Sequence, residues 1–354
     1  SAEMKSSVRK LAFLMLLCSI IPTSRGDDSS HPLPKSPMWL TYNRDTGPGN
    51  GKHIILIAAE QEYRSEQSMP MMASILAKHH GFDCTVLFGV NDVGMVDPTM
   101  PVYPKKGEEA AFKQHRIPGL DQLESADLVI FFLRLLTLSQ EQQEQIVRYL
   151  DSGKPIIGLR TTNHGFRRPL PYKIKGKQVR IGDLLGGTFL EHHGNWHRDS
   201  TRGDLVESMK SHSILTGVRD IWGPSDVYRT YKKEENLPKD CTVLVYGQPL
   251  IGRQQHGPSN PEKEPLPVVW IKHWKTSSGQ SARVFHSTMG SAKDLENPGL
   301  RRLIINATYW GLDLEKSINA NSKVSPIGDY DPLASGFNYD KLGVVPQAPS
   351  AYRN

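Results

Sequence analysis

The sequence predicts an α/β fold, a flavodoxin-like three-layer sandwich with a mostly parallel sheet. Three observations predict it. Four apolar runs, His53–Ala59, Cys84–Phe88, Asp127–Leu133 and Pro155–Leu159, lack the alternation of a half-exposed strand and read as strands covered on both faces. Helical patterns lie between them. The first carries Met72, Ile75 and Leu76 and stops at Gly81; the second carries Ile146, Val147 and Leu150 and closes at Gly153. The order that results, β-α-β, an insertion, then β-α-β, is that of parallel strands joined by helical crossovers.

The chain has 354 residues, 38% hydrophobic and 23% charged, enough for one sizeable α/β core. Lys5, Arg9 and Lys10 precede the apolar run Leu11–Ile21, and Ser24-Arg25-Gly26 offers small residues where a signal peptidase cuts. Residues 1–26 therefore read as a signal peptide, too short in its apolar part for a membrane anchor, and the mature protein is expected in the periplasm or outside the cell. That segment holds four basic residues and one acidic one, so without it the net charge falls from +6 to +3. The remaining Lys and Arg form no basic stripe with interleaved aromatics, which argues against nucleic acid as a partner. Cys84 and Cys241 lie in apolar runs and read as two buried thiols; a disulfide is the alternative an oxidising compartment allows.

Residues 27–50, rich in Pro, Ser, Gly and Asp, read as a linker or an extended segment lying on the domain. In the first helix Ser68 is the expected cap, with Pro70 in the first turn. Residues 94–116 are a polar insertion. Ser139-Gln140-Glu141-Gln142 has capping-box spacing and opens the second helix. Ile181–Gly187 reads as a short helix and turn. Val206–Met209, Val227–Tyr231 and Thr242–Gly247 read as strands, and Gly252–Pro267 as a loop. Pro267–Trp274 and Arg283–His286 look like paired strands turning at Thr276–Gly279. Asn297-Pro298 starts a helix whose inner face carries Leu300, Leu303, Ile304, Ala307 and Trp310. The main domain spans 51–315, and residues 316–354 form a Pro-, Gly- and Asn-rich tail that wraps the surface.

Ligands of open α/β sheets sit beyond the carboxyl ends of the parallel strands. That rim receives Glu60, Glu62, Tyr63 and Arg64 from the first strand, Arg134 from the third, and Arg160, Thr161 and His164 from the fourth. His286 and Thr288 follow the strand at 283–286. Arginines at adjacent strand ends need partners, either Glu60, Glu62 and Glu66 or an anionic or polyhydroxyl ligand. A ring of structural salt bridges under the loops is the alternative to a binding site. His164, in the turn after the central strand, is the expected general acid or base. The run 192–197, HHGNWH, invites a metal reading with His192, His193 and His197 as zinc ligands, although its spacing matches no strict ligand pattern; a solvated loop with one functional histidine is the other reading. No Ser or Cys stands at a strand-to-helix elbow, and no GxGxxG or Walker sequence is present.

Several blocks together resemble the trehalose-utilisation (ThuA-like) family. They are EYRSE at 62–66, IIGLRTTNHGF at 156–166, HHGNWHRDSTRG at 192–203, DIWGPSDVY at 220–228, PVVWIKHW at 267–274 and STMGSAKDLENPGLRRLIINATYWGL at 287–312. The resemblance covers about residues 51–315 and is greatest to an exported, planctomycete-type branch. It implies the fold of class I glutamine amidotransferases. Their elbow cysteine corresponds to Arg160 here, so no amidotransferase activity is expected. Where the family turn reads Arg-Thr-Ser-Thr-His-Ala-Phe, this chain has Asn163 and Gly165 in place of Thr and Ala. The resemblance also implies a carbohydrate partner: trehalose, another disaccharide or a keto-sugar, handled by isomerase, lyase or hydrolase chemistry. On that reading Arg64, Arg134, Arg160, Thr161, His193 and Thr288 bind substrate, while His164 and Glu62 move protons. The alternatives are a non-catalytic sugar-binding or interaction protein on the same scaffold and a zinc-dependent hydrolase using the 192–197 loop. A homo-oligomer is compatible with the sequence.

Overall fold

The computed structural model describes residues 32–112 and 115–354. The expected signal peptide, 1–26, lies outside the described residues. Ten strands form one mixed sheet: β1 (Trp39–Tyr42), β2 (His53–Ala59), β3 (Asp83–Phe88), β4 (Leu128–Leu133), β5 (Ile156–Leu159), β6 (Asp199–Leu205), β7 (Ile221–Gly223), β8 (Thr242–Ile251), β9 (Leu266–Lys275) and β10 (Ser281–Ser287). Their order across the sheet is β1-β3-β2-β4-β5-β10-β9-β8-β6-β7. The centre, β3-β2-β4-β5-β10, is parallel, and every strand outside it pairs antiparallel. This is the expected α/β architecture, with the antiparallel part built from β6 to β9.

Two apolar layers sandwich the parallel centre, and the pleat divides them. Ile54, Leu56 and Ala58 of β2 face a layer containing helices α1 (Ser65–His80) and α4 (Pro298–Gly311). Their neighbours Ile55, Ile57 and Ala59 face α2 (Gln140–Leu150) and α3 (Ile181–Leu185). β4 divides in the same way, Leu128, Ile130 and Phe132 against Val129, Phe131 and Leu133. Gly158 in β5 suits close packing: a Cβ there would lie 2.8 Å from Leu185 Cδ2 of α3, which would have to shift.

Ser139 caps α2 by accepting from the Gln142 N–H, as its spacing predicts, but the Gln142 side chain turns away to Ile117, bonding both its N–H and its carbonyl. Asn297 caps α4 through Leu300 N–H. Helix α1 begins at Ser65, earlier than the expected cap at Ser68, and Pro70 lies inside it. The buried Glu60 carboxylate explains the early start, because it accepts the N–H groups of Glu62, Tyr63 and Ser65 and so takes the capping role. The expected strand 206–209 is instead a 3₁₀ turn, Glu207–Met209; the pairing to β8 uses the more polar Asp199–Leu205. Part of the 27–50 segment, Trp39–Tyr42, adds the edge strand β1 beside β3. Cys84 is buried and Cys241 half-buried, and both are free thiols. Among the described residues no helix is long and apolar enough to cross a membrane.

Candidate functional site

β2, β4, β5 and β10 run parallel and deliver Glu60, Arg134, Arg160 and Thr288 to one rim. Arg160 follows β5 directly with a φ of 40°, in the left-handed region, and opens a 3₁₀ turn, Arg160–His164. The strained strand-to-helix elbow is thus present, with arginine in the nucleophile's place.

Arg160 has no exposed surface. Its guanidinium lies between the rings of Tyr63 and Tyr228, 4.3 and 4.0 Å from their centroids. It donates to the carbonyls of Thr288 (2.7 Å) and Asp226 (3.1 Å), to Tyr63 Oη (3.1 Å) and to Asp226 Oδ1 (3.2 Å). Arg160, expected to bind substrate, is enclosed beneath the rim and ties it together: both Nη groups donate to protein, while the buried Nε–H has no hydrogen-bond partner. Thr161 and Thr288, also expected to touch substrate, are buried. Thr288 serves through the carbonyl that Arg160 holds. Arg64 is enclosed as well, reaching the carbonyls of Gln61 and Gly336.

The groups on the open side of the rim are Arg134, His164, His192, Trp196 and His197, with the Glu62 carboxyl buried against them. Glu62 Oε1 accepts Trp196 Nε1–H at 2.9 Å and lies 3.4 Å from His197 Nε2; Oε2 lies 3.9 Å from Arg134 Nε. Burial opposes its charge, but His197, Trp196 and the Arg134 and Arg160 charges outweigh burial and hold the carboxyl below its ordinary range. Arg134 is partly exposed and stacks on Phe337, 5.0 Å from the ring centroid.

His164 is fixed in one tautomer by a relay of hydrogen bonds. Asn163 Oδ1 accepts Phe189 N–H (3.1 Å), so it also accepts from His164 Nδ1 (2.8 Å). Asn163 Nδ2 then donates to His286 Nε2 (3.2 Å), and His286 Nδ1 donates to the Gly158 carbonyl (2.8 Å). His164 Nε2 is left as an acceptor. Burial, then the Arg134 charge, push the His164 pKa down to about 3. A ring so hard to protonate is poorly matched to carrying protons near neutral pH. His164 suits the role of hydrogen-bond acceptor better than that of acid or base.

The 192–197 histidines serve three different partners. His192 Nδ1 donates to Asp226 Oδ2 at 2.8 Å. His193 is buried and bonds the Glu264 carbonyl through Nε2 (2.8 Å) and Arg229 through Nδ1 (3.3 Å), so it anchors a loop and is withdrawn from substrate. His197 faces Glu62. Among the described residues no group of three or more His, Cys, Asp or Glu side chains is placed to hold a metal ion. The expected zinc set at His192, His193 and His197 is therefore not assembled, since each imidazole is turned to its own partner. A cavity of about 590 Å³ opens beside the start of α4, lined by Arg219, Asn297 and Arg302; no rim residue lines it.

Asp226 is the member of this site that the sequence reading missed. It is buried, and it binds Arg160 and His192 with its two carboxylate oxygens. The pairing matches a carboxylate that orients an imidazole, with His192 Nδ1–H directed at the buried acid. The His192 side chain is 34% exposed, so its Nε2 belongs to a ring open to solvent. The only sequence signal was the block 220–228, in which Asp226 sits.

The ThuA family profile, described as trehalose utilisation, matches residues 106–311. The chain belongs to this family. The matched region includes Arg134, Arg160, His164, His192, Asp226 and Thr288, while Glu62 and Arg64 precede it. Among solved structures, a ThuA-like protein from Bacteroides uniformis is 15% identical with a TM-score of 0.45, covering 78% of this chain and 97% of its own. Another, from Parabacteroides merdae, is 13% identical with a TM-score of 0.45, covering 86% and 99%. A curated protein, the transport protein SEC13 of Lodderomyces elongisporus, is 34% identical over 83 residues. That match spans 23% of this ThuA chain and 26% of SEC13.

Proposed function

We propose that this ThuA protein moves protons on a carbohydrate, removing and returning the hydrogen beside the carbonyl of a keto-sugar derived from trehalose or another disaccharide. The observation that carries the reading is the His192–Asp226 pair, set at a rim that also holds the Glu62 carboxylate. His192 Nε2 takes the C–H proton, and the C–H electrons move into the adjacent carbonyl, forming an enediolate. The oxyanion falls to the Arg134 guanidinium, and the neutral His164 Nε2 accepts a substrate hydroxyl. Reprotonation at the former carbonyl carbon, with a proton passed between the two oxygens, completes an isomerisation; re-formation of the carbonyl with expulsion of a substituent, protonated as it leaves, from the carbon on the other side of the deprotonated one completes an elimination. The Glu62 carboxylate, held by Trp196, carries the second proton transfer. With residues 1–26 as a leader, this chemistry belongs to the periplasm or the cell exterior.

The test is deuterium incorporation from D₂O into the 3-keto form of trehalose, followed by NMR. Wild-type protein is expected to exchange the hydrogen next to the carbonyl, and His192→Ala to abolish that exchange. Saturable sugar binding with no exchange overturns the catalytic reading in favour of a sugar-binding protein. Exchange that survives His192→Ala but is lost in His164→Ala returns the proton to His164.

A further inference from the structure

The C-terminal tail crosses the rim, and the way it is held is informative. Gly336 N–H donates to the Glu62 carbonyl (2.9 Å), and Arg64 Nη2 donates to the Gly336 carbonyl (3.3 Å). Leu333 N–H donates to Gln67 Oε1 at 2.9 Å, and Tyr339 lies over Arg64, its centroid 5.7 Å from the guanidinium. The tail is therefore fixed to the β2–α1 turn and the first turn of α1 on both sides of Phe337, its own backbone groups taking part in each of the three hydrogen bonds. Gly336 has a φ of 135°, and a Cβ there would come within 3.2 Å of His197 Cε1, so this approach to the histidine loop suits glycine.

Phe337 itself is not used as an anchor. Its ring is left 40% exposed, facing the Arg134 guanidinium on one side and the Trp196 ring on another, with the two centroids 6.4 Å apart and the planes at 41°. Trp196 is 42% exposed, and its Nε1–H is spent on Glu62. Two half-exposed aromatic residues thus stand side by side, Phe337 beside the Arg134 guanidinium and Trp196 against the His197 ring at a centroid distance of 4.0 Å. A pyranose ring has that complementary character, with C–H groups on one face and hydroxyls around its edge. Stacked on aromatic carbon, it would present its edge to Arg134, Glu62 and His164.

We propose that the tail is part of the binding site: Phe337 and Trp196 form an aromatic platform for the C–H face of a hexopyranose ring. This rests on the carbohydrate reading above and adds to it the residues that choose a ring-shaped, partly apolar substrate. It also gives residues 333–339 a function outside the matched family region, 106–311.

The test is calorimetric titration of the full-length protein with trehalose and with its 3-keto form. Wild type, Phe337→Ala, Phe337→Leu, Phe337→Tyr and Arg134→Ala are compared. Phe337→Ala and Phe337→Leu are expected to weaken binding about tenfold, the scale of losing one aromatic wall, and Phe337→Tyr to stay within about twofold. Phe337→Leu keeps apolar bulk and guards against a variant that fails to fold. If Arg134→Ala loses binding while Phe337→Ala and Phe337→Leu bind as wild type does, the platform is overturned and the rim reading stands. If the Phe337 variants weaken but Arg134→Ala does not, the platform stands and the proposed chemistry loses its oxyanion partner. Absence of saturable binding to either sugar in wild type overturns both.

Discussion

Asp226 divides its carboxylate between two residues: Oδ1 takes Arg160 Nη2 at 3.2 Å and Oδ2 takes His192 Nδ1 at 2.8 Å. Arg160 comes from the elbow after β5, and His192 from the loop after α3, so one buried acid connects the fold's central strand to an imidazole that is 34% exposed. Asp226→Asn keeps the size but removes the charge and leaves an amide able to donate where both partners donate. Deuterium exchange on the keto-sugar is expected to fall by about a hundredfold or more, since the imidazole loses both its tautomer and its orientation. NMR exchange rates for Asp226→Asn beside His192→Ala check this; equal rates for wild type and Asp226→Asn would remove Asp226 from the mechanism and leave His192 to be judged by its own variant.

Arg160 supports a stability prediction that is independent of substrate. Burial disfavours its charge, but Tyr228, Tyr63, Asp226 and Asp294 more than offset that cost, so it stays charged. Arg160→Met retains volume but leaves Asp226 buried without its counter-charge and orphans the Thr288 carbonyl. Breaking such a pair costs about 3–5 kcal/mol. A urea titration of Arg160→Met should show a midpoint lowered accordingly; a midpoint unchanged from wild type would contradict the keystone role.

The parallel centre was legible because β2, β4 and β5 are covered on both faces, so each is a continuous apolar run that tolerates no polar interruption. β6 was not legible: Asp199–Leu205 is polar, and its place in the sheet is set by the ladder from Leu205 against Val245 to Asp199 against Ile251. The rim as a location followed from topology alone, but the direction of each side chain did not. Arg160 and His193 look exposed by residue type, yet Tyr63, Tyr228 and Glu264, remote in the chain, enclose or engage them. Asp226 is an isolated acid in a loop, and Phe337 lies in a tail with no periodicity. Neither has a local pattern that could announce a role made only by contacts across the fold.

Acid should destabilise this protein early. Burial lowers the pKa of His80, His115 and His286 to about 4 and of His164 to about 3. Unfolded, each binds its proton near pH 6.5, so below that value the unfolded chain holds more protons and stability falls as pH drops. Each histidine contributes up to about 1.4 kcal/mol per pH unit across that window. Glu66 acts with the opposite sign. Burial raises its pKa to about 7, so its contribution is present below pH 4.5 and is lost as pH rises through 7. Burial raises the Glu60 carboxyl too, but it also lowers His53, His193 and His212, so the histidines dominate and the urea midpoint is expected to drop steeply from pH 6.5 to 5. A flat profile there would show that these rings are solvated in the folded protein.

Glu62 should separate chemistry from folding more cleanly than Asp226 does. Its Oε1 accepts from Trp196 and faces His197, and its Oε2 faces Arg134. In Glu62→Gln the amide oxygen can still receive Trp196 Nε1–H, so the neighbouring loop keeps its main tether. The charge facing Arg134 is lost. The cost to stability is expected to stay within about 2 kcal/mol, the scale of a weakened hydrogen bond to a charged group. Deuterium exchange should fall far more than stability, because an amide cannot carry the second proton. Thermal melting together with exchange rates for Glu62→Gln decides it. A variant that melts as wild type and exchanges as wild type would confine Glu62 to holding Trp196, and the second proton would then have to travel through His197, the other titratable group on that side of the rim.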